Sequence, residues 1–180
     1  MRLYLNDKLF SNECTSFGLS QTFLSFVNST SGISHEMFIY DLNRALPQPT
    51  PGAEIPQHAS LADDTKFNVR GVERGSRIVA ISGVKTVLQM PRGNLEAVYP
   101  RITMLKQAIE DIEAREYGKA FRALRQHKID LNLLYDVNPD RFLENIDKFV
   151  AEVKQVDYLN LFINSLNEEE RGRELEFMRP

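Results

Sequence analysis

Apolar and polar residues alternate in short runs from Leu3 to Val98, whereas from Ile102 to Leu166 apolar residues recur every third or fourth position. The first period belongs to half-buried strands and the second to amphipathic helices. The change falls within Val87-Leu88-Gln89-Met90-Pro91-Arg92-Gly93-Asn94-Leu95-Glu96-Ala97-Val98-Tyr99-Pro100-Arg101. The fold class that follows is mixed, a β-strand region and then an α-helical repeat region.

Five strand patterns open the chain: Leu3–Leu5, Lys8–Phe10, Cys14–Leu19, Thr22–Val27 and His35–Tyr40. Asn6-Asp7, Ser11-Asn12 and Ser29–Gly32 punctuate them as turns. Short strands at this spacing suit a sandwich, a barrel or a propeller blade. Residues 41–75 break the pattern, with Pro47, Pro49, Pro51 and Pro56 crowded together. Alternate prolines deny the backbone its ladder donors. A long exposed loop is expected at about 41–75, an insertion or a linker, since loops beyond ~12–15 residues are uncommon inside compact domains. Strands resume at Arg77–Ile81 and Thr86–Met90, and the turn Pro91-Arg92-Gly93-Asn94 leads into Leu95–Val98.

Pro100 ends the β pattern. Ile102, Leu105, Ala108/Ile109 and Ile112 form one helical face, and Tyr117, Ala120/Phe121 and Leu124 a second. A short third helix is expected near Leu133. Asn138-Pro139 starts a fourth, as N-cap and first helical residue, with the stripe Phe142/Leu143, Ile146, Phe149/Val150 and Val153. Val156, Leu159, Phe162/Ile163 and Leu166 mark a fifth, and Glu168-Glu169-Glu170 a solvated end. Two domains follow, residues 1–98 and 99–180. The last apolar stripes have no partner in the sequence, and the strands are too few for a closed propeller of four or more four-stranded blades. The simplest expectation is a fragment spanning a β-to-helical junction.

Charge changes this picture little. The 180 residues carry a formal net charge of −3, with nine basic and nine acidic residues up to Val98. Neither half is basic, so general nucleic-acid or membrane-surface binding is not predicted. No apolar run approaches the ~20 residues of a membrane-spanning helix, and the N-terminus lacks a signal-peptide pattern, so a soluble protein is expected. The single cysteine, Cys14, excludes an intrachain disulfide and reads as a buried thiol rather than a nucleophile.

Candidate chemistry is sparse. His35, His58 and His127 have no second ligand at metal spacing, so neither a zinc site nor any other cofactor site is expected. Arg70-Gly71-Val72-Glu73-Arg74-Gly75 precedes a strand, which rules out a phosphate cradle of the strand–glycine loop–helix type. Glu110-Asp111-Ile112-Glu113 reads as a solvated helix face rather than an acid/base pair. Arg122, Arg125 and Lys128 read as a salt-bridging surface rather than an RNA-binding one.

Three segments carry a resemblance. Val72–Val79, Val87–Glu96 and Ile129–Pro139, supported by Asn160-Leu161-Phe162, resemble in order and spacing the largest subunit of the Elongator complex. The resemblance covers residues 72–166 well, and residues 2–40 look like a last propeller blade. It implies two WD40-type propellers followed by a helical solenoid, of which this chain holds the end of the second propeller and the first helical repeats. It also implies a non-catalytic scaffold, cytoplasmic and also nuclear. This scaffold would hold the second subunit and the catalytic third subunit. The third subunit is an iron–sulfur, S-adenosylmethionine and acetyl-CoA enzyme that starts carboxymethyl-type modification of the tRNA wobble uridine. Homodimerisation and tRNA contact would use other regions or the whole complex, and no membrane is involved. Pro91, Arg92, Gly93, Asn94, Leu95, Glu96, Pro100 and Arg101 are the candidate site, as a structural joint rather than a catalytic one. The alternative is a scaffold of another propeller–solenoid assembly, such as a vesicle-coat or transport complex.

Overall fold

A computed structural model describes residues 1–5, 8–30, 34–43, 69–166 and 175. It has two compact units, Met1–Arg101 and Ile102–Pro180.

In the first unit, β1 (Leu3–Leu5) pairs antiparallel with β2 (Lys8–Ser11). β3 (Cys14–Leu19), β4 (Phe23–Thr30), β5 (Ser34–Asp41) and β6 (Val69–Val72) form an antiparallel meander in chain order. β7 (Arg77–Ser82), β8 (Lys85–Gln89) and β9 (Leu95–Val98) form a second, three-stranded meander. Phe23 to Asn28 are all buried, as befits a strand with neighbours on both sides. Phe26 lies opposite Phe38 on β5, their rings stacked at 5.2 Å. Cross-strand aromatic pairs of this kind add to sheet stability beyond burial alone. Leu3, Cys14 and Leu24 complete that core. The polar Asn28 buried nearby accepts from Ser11 Oγ at 2.7 Å, which satisfies both groups.

The loop expected at 41–75 is shorter than its prolines imply. Val69–Val72 is strand, paired with His35–Phe38. The Arg-Gly between two β-branched valines hid it, because only Val69 and Val72 are partly buried. The prolines 47, 49, 51 and 56 lie outside the described residues, as does Glu168–Glu170.

The second unit continues the helix that opens at Arg101. Its elements are α1 (Arg101–Glu113), α2 (Tyr117–Gln126), α3 (Leu133–Asp136), α4 (Pro139–Glu144), α5 (Ile146–Val153) and α6 (Val156–Ser165). The expected cap is present at α4, where Asn138 Oδ1 accepts from the Arg141 N–H at 2.9 Å and Pro139 follows. The fourth helix expected from one continuous stripe is two helices. Asn145 leaves helical geometry (φ −113°, ψ 18°), and its Nδ2 donates back to Arg141 O at 2.7 Å. A side chain that bonds a carbonyl four residues earlier competes with helix continuation.

The helical core is aromatic. Phe149 sits 4.9 Å from Phe162, 5.3 Å from Phe142 and 6.2 Å from Phe121, ring centroid to centroid. Ala120, fully buried on α2, lets the backbones of α2 and α5 approach. Gly118 goes further. A Cβ there would lie 2.8 Å from Glu152 Cβ and 3.2 Å from its carbonyl oxygen, while the Gly118 N–H donates to Glu152 Oε2 at 2.7 Å. A carboxylate on α5 thus caps the N-terminus of α2, where the helix dipole favours negative charge. Chain reversals after α1, α2 and α5 use the left-handed residues Arg115, Lys128 and Lys154 (φ 63°, 54° and 61°). Glycine is the usual choice there, but a basic side chain at a helix C-terminus is electrostatically favoured.

Replacing Phe149 with Ala should lower the unfolding free energy by ~3–5 kcal/mol, measured by denaturant titration, because four rings share one cluster. A second expectation concerns alkaline pH. Lys119 donates to Asp111 Oδ1 at 2.8 Å, and this bond and then Glu116 hold its ammonium above the ordinary lysine range. Its stabilisation is complete below the unfolded lysine pKa and is lost as pH rises through the raised folded value. Unfolding free energy measured across the alkaline range should therefore fall less steeply in Lys119→Met than in the parent, by a small margin because Lys119 is half-exposed.

Candidate functional site

The stretch Pro91–Glu96 forms the hairpin end between β8 and β9. Met90 is buried and donates its N–H to Asn94 O at 2.8 Å, and Gly93 donates back to Met90 O at 2.8 Å. Gly93 adopts φ +88°, a left-handed position where only glycine is free of strain. The loop presents Pro91, Arg92, Gly93, Asn94, Leu95 and Glu96 to solvent, with Leu95 65% exposed. Asn94 Nδ2 donates to Glu96 Oε1 at 3.3 Å. Pro100 is buried, and Arg101 is the first residue of α1. The eight residues therefore divide into an exposed loop and a covered helix start.

Behind the loop lies a second turn, Glu73–Ser76, between β6 and β7. Ser76 is fully buried and bonds Glu73 O twice, through its N–H at 3.0 Å and its Oγ at 2.6 Å. Its Oγ also reaches Met90 Sδ at 3.5 Å. Gly75, at φ +91°, donates its N–H to Nδ1 of the buried His35 at 3.2 Å. A Cβ on Gly75 would stand 3.4 Å from the Pro91 ring, so the two turns touch. His35 is thus a structural acceptor that ties β5 to this corner. The two meanders also meet at their first strands. Ile78 N–H donates to Ser16 Oγ at 2.9 Å, and a Cβ on Gly18 would lie 2.8 Å from Ile81 Cδ1.

Sequence reasoning named the exposed loop and missed everything that holds it. The partners are 40 residues apart for His35 and Gly75, and 62 for Ser16 and Ile78. The glycine of Glu73-Arg74-Gly75-Ser76 was the one visible signal. Two other readings change. Asp111 is not on a solvated face; it is buried, accepting from Lys119 and from Gln107 Nε2 at 3.1 Å. Burial of a carboxylate is tolerable only with such partners. Arg125, read with Arg122 and Lys128 as part of a salt-bridging surface, lies over the Tyr158 ring at 4.0 Å, a cation–π contact.

Chemically this corner offers no reacting set among the described residues. Cys14 is buried, and desolvation pushes its thiol pKa up, the opposite of an activated nucleophile. Among the described residues no group of three or more His, Cys, Asp or Glu side chains could hold a metal, and no helix is long and apolar enough to cross a membrane. His127 follows α2 as its C-cap, and His58 lies outside the described residues.

Gly93→Ala should cost ~1–2 kcal/mol in thermal or denaturant unfolding, because open space around Gly93 leaves only the backbone penalty. An equal or larger loss at the Leu95→Ala position, which is exposed, would contradict this account of the loop.

Comparison with known proteins agrees with the order of architectures. Residues 1–79 match the ELP1 N-terminal second beta-propeller family, and residues 101–175 match the ELP1 alpha-solenoid family. The β8–β9 hairpin lies between the two matches. The chain is 36% identical to Elongator complex protein 1 of Saccharomyces cerevisiae over 171 residues, 94% of this chain and 12% of that protein. Against the Schizosaccharomyces pombe protein of the same name it is 39% identical over 170 residues, 93% of this chain and 13% of that one. Against the Mus musculus protein it is 35% identical over 171 residues, 94% and 12%. The chain thus spans about an eighth of the length of these relatives. With a β-propeller segment followed by an α-solenoid segment, both of one family, the chain belongs to the Elongator complex protein 1 family.

Proposed function

We propose that this chain is part of a non-catalytic scaffold subunit of the Elongator complex. In this reading the full-length protein holds the second subunit and the catalytic third subunit, and the complex starts carboxymethyl-type modification of the tRNA wobble uridine. The observation that carries it is the succession of propeller and solenoid segments of a single family, whose curated relatives are named for the complex. Extended surfaces of this kind serve protein assembly. The helical unit supports the reading with unspent apolar surface. Leu143 and Val150 are exposed, and on α6 Val156 and Ile163 are 68% and 61% exposed. Following solenoid helices would cover this face, since each repeat buries its core only against neighbours. Homodimerisation and tRNA contact belong to other parts of the full-length protein, which works in the cytoplasm with a nuclear pool.

Within that scaffold, Pro91–Glu96 with Pro100 and Arg101 is proposed as the joint between propeller and solenoid. Affinity capture of the full-length protein should recover the second and third Elongator subunits; their absence would sink the scaffold reading. A flexible glycine linker inserted at Pro100 of the full-length protein should reduce that recovery or lower wobble-uridine modification measured by nucleoside mass spectrometry. Unchanged recovery and modification would remove the joint from the account while leaving membership of the complex intact.

A further inference from the structure

The stretch from β6 to the start of α1 is basic in an otherwise acidic chain. Residues 69–101 hold six of the 22 Lys and Arg residues but only two of the 25 Asp and Glu residues, so the remainder is net negative. Folding brings arginines from three elements to one corner. Arg74 lies in the β6–β7 turn, Arg77 opens β7, and Arg92 lies in the β8–β9 turn. A Cβ on Gly75 would meet the Pro91 ring, which sets the two turns side by side. Arg77 pairs across the strands with Gln89, just before the second turn. Arg70, on β6, precedes the same corner. All four arginines are exposed, whereas Lys85 stands at the far end of β7 and β8.

The corner is also rigid. Its turns are fixed from beneath by Ser76 Oγ on Glu73 O, by the Gly75 N–H on His35, and by the Met90–Asn94 and Gly93–Met90 backbone bonds. These supports fix where Arg74, Arg77 and Arg92 leave the backbone. Loops already held in one conformation lose little freedom when a partner binds. Turns at strand ends also stay on the surface when sheets pack face to face, because that packing uses the faces.

Charge and geometry define what fits. All four residues are arginine, whose planar guanidinium fork binds carboxylates and phosphates through paired hydrogen bonds. Glu73 and Glu96 stand among them, both exposed, and Glu96 accepts from Asn94 Nδ2. A continuous phosphate backbone would bring its evenly spaced charges against those two carboxylates. A peptide places its carboxylates one by one and avoids them. We infer that the Arg74–Arg77–Arg92 corner, flanked by Arg70, docks a carboxylate-rich peptide segment of a subunit that the scaffold holds. Guanidinium–carboxylate bonds carry the contact, so it weakens as salt rises. This inference rests on the scaffold reading, to which it adds the surface used and the chemistry of the partner.

Two measurements test it, both on full-length protein with the purified second and third Elongator subunits. The double variant Arg74→Glu/Arg92→Glu should bind them about tenfold or more weakly than the parent at physiological salt. Its melting temperature should be unchanged, since both side chains are exposed. Arg92→Lys keeps the charge and supplies an amine that carbodiimide couples to a touching carboxylate. The expected product joins position 92 to an Asp or Glu of the second or third subunit. Equal binding by the parent and the charge-reversed protein overturns the inference. So do links from position 92 only to carboxylates of the same chain, or no link while other lysines couple the subunits. Should the charge-reversed protein melt lower, the Arg92→Lys link decides. A tRNA transcript is the competing probe: if charge reversal abolishes its binding and leaves subunit binding intact, the corner belongs to RNA and the inference fails. A parent that binds neither subunit defeats the scaffold reading itself, an outcome distinct from equal binding by parent and variant.

Discussion

Every described element of this chain is too short to be stable by itself. The longest described helix, α1, has 13 residues, and isolated helices of that length are marginal in water. A two- or three-stranded sheet is equally marginal without a covered face. Order therefore depends on burial against neighbours. In the helical unit that burial converges on Phe149, with Phe121, Phe142 and Phe162 around it from three other helices. In the β unit it converges on Phe26 and Phe38. An architecture of short units, each completed by the next, suits a protein whose family combines a propeller with a solenoid.

Polar contacts act differently from this apolar burial. Those made between distant parts of the chain are directed. Glu152 caps α2 from α5, His35 receives the Gly75 N–H, and Ser16 receives that of Ile78. Each satisfies a backbone donor that a hydrophobic neighbour would strand, at a cost of roughly 1–3 kcal/mol. These bonds select one packing among those that hydrophobicity alone would allow. The glycines at 18, 75 and 118 belong to the same design, since a Cβ at each meets or crowds the neighbouring element.

The candidate joint combines both kinds of constraint. Its exposed loop was legible because Pro91 and Gly93 have a local meaning, one limiting φ and the other permitting φ +88°. Its supports were not legible. Nothing local distinguishes Ser76, fully buried, from an ordinary turn serine, or His35 from any other strand histidine. Asp111 was misjudged for the same reason, because helical periodicity places it beside solvated Glu110 while Lys119, eight residues on, makes its burial possible.

The sequence by itself determined the order of strands and helices, most of their bounds, the α4 cap and the place where period two yields to period 3.6. These are local properties of backbone geometry and side-chain spacing. It also carried the family resemblance, through segments that span the same change of period. Tertiary structure alone decided that Val69–Val72 is a fourth strand, that Asn145 divides one apolar stripe into two helices, and that among the described residues the β7–β9 sheet has three strands where its companion has four. Those outcomes depend on which distant segment supplies the missing partner, and partner choice is set by contacts between residues tens of positions apart, which no local period encodes.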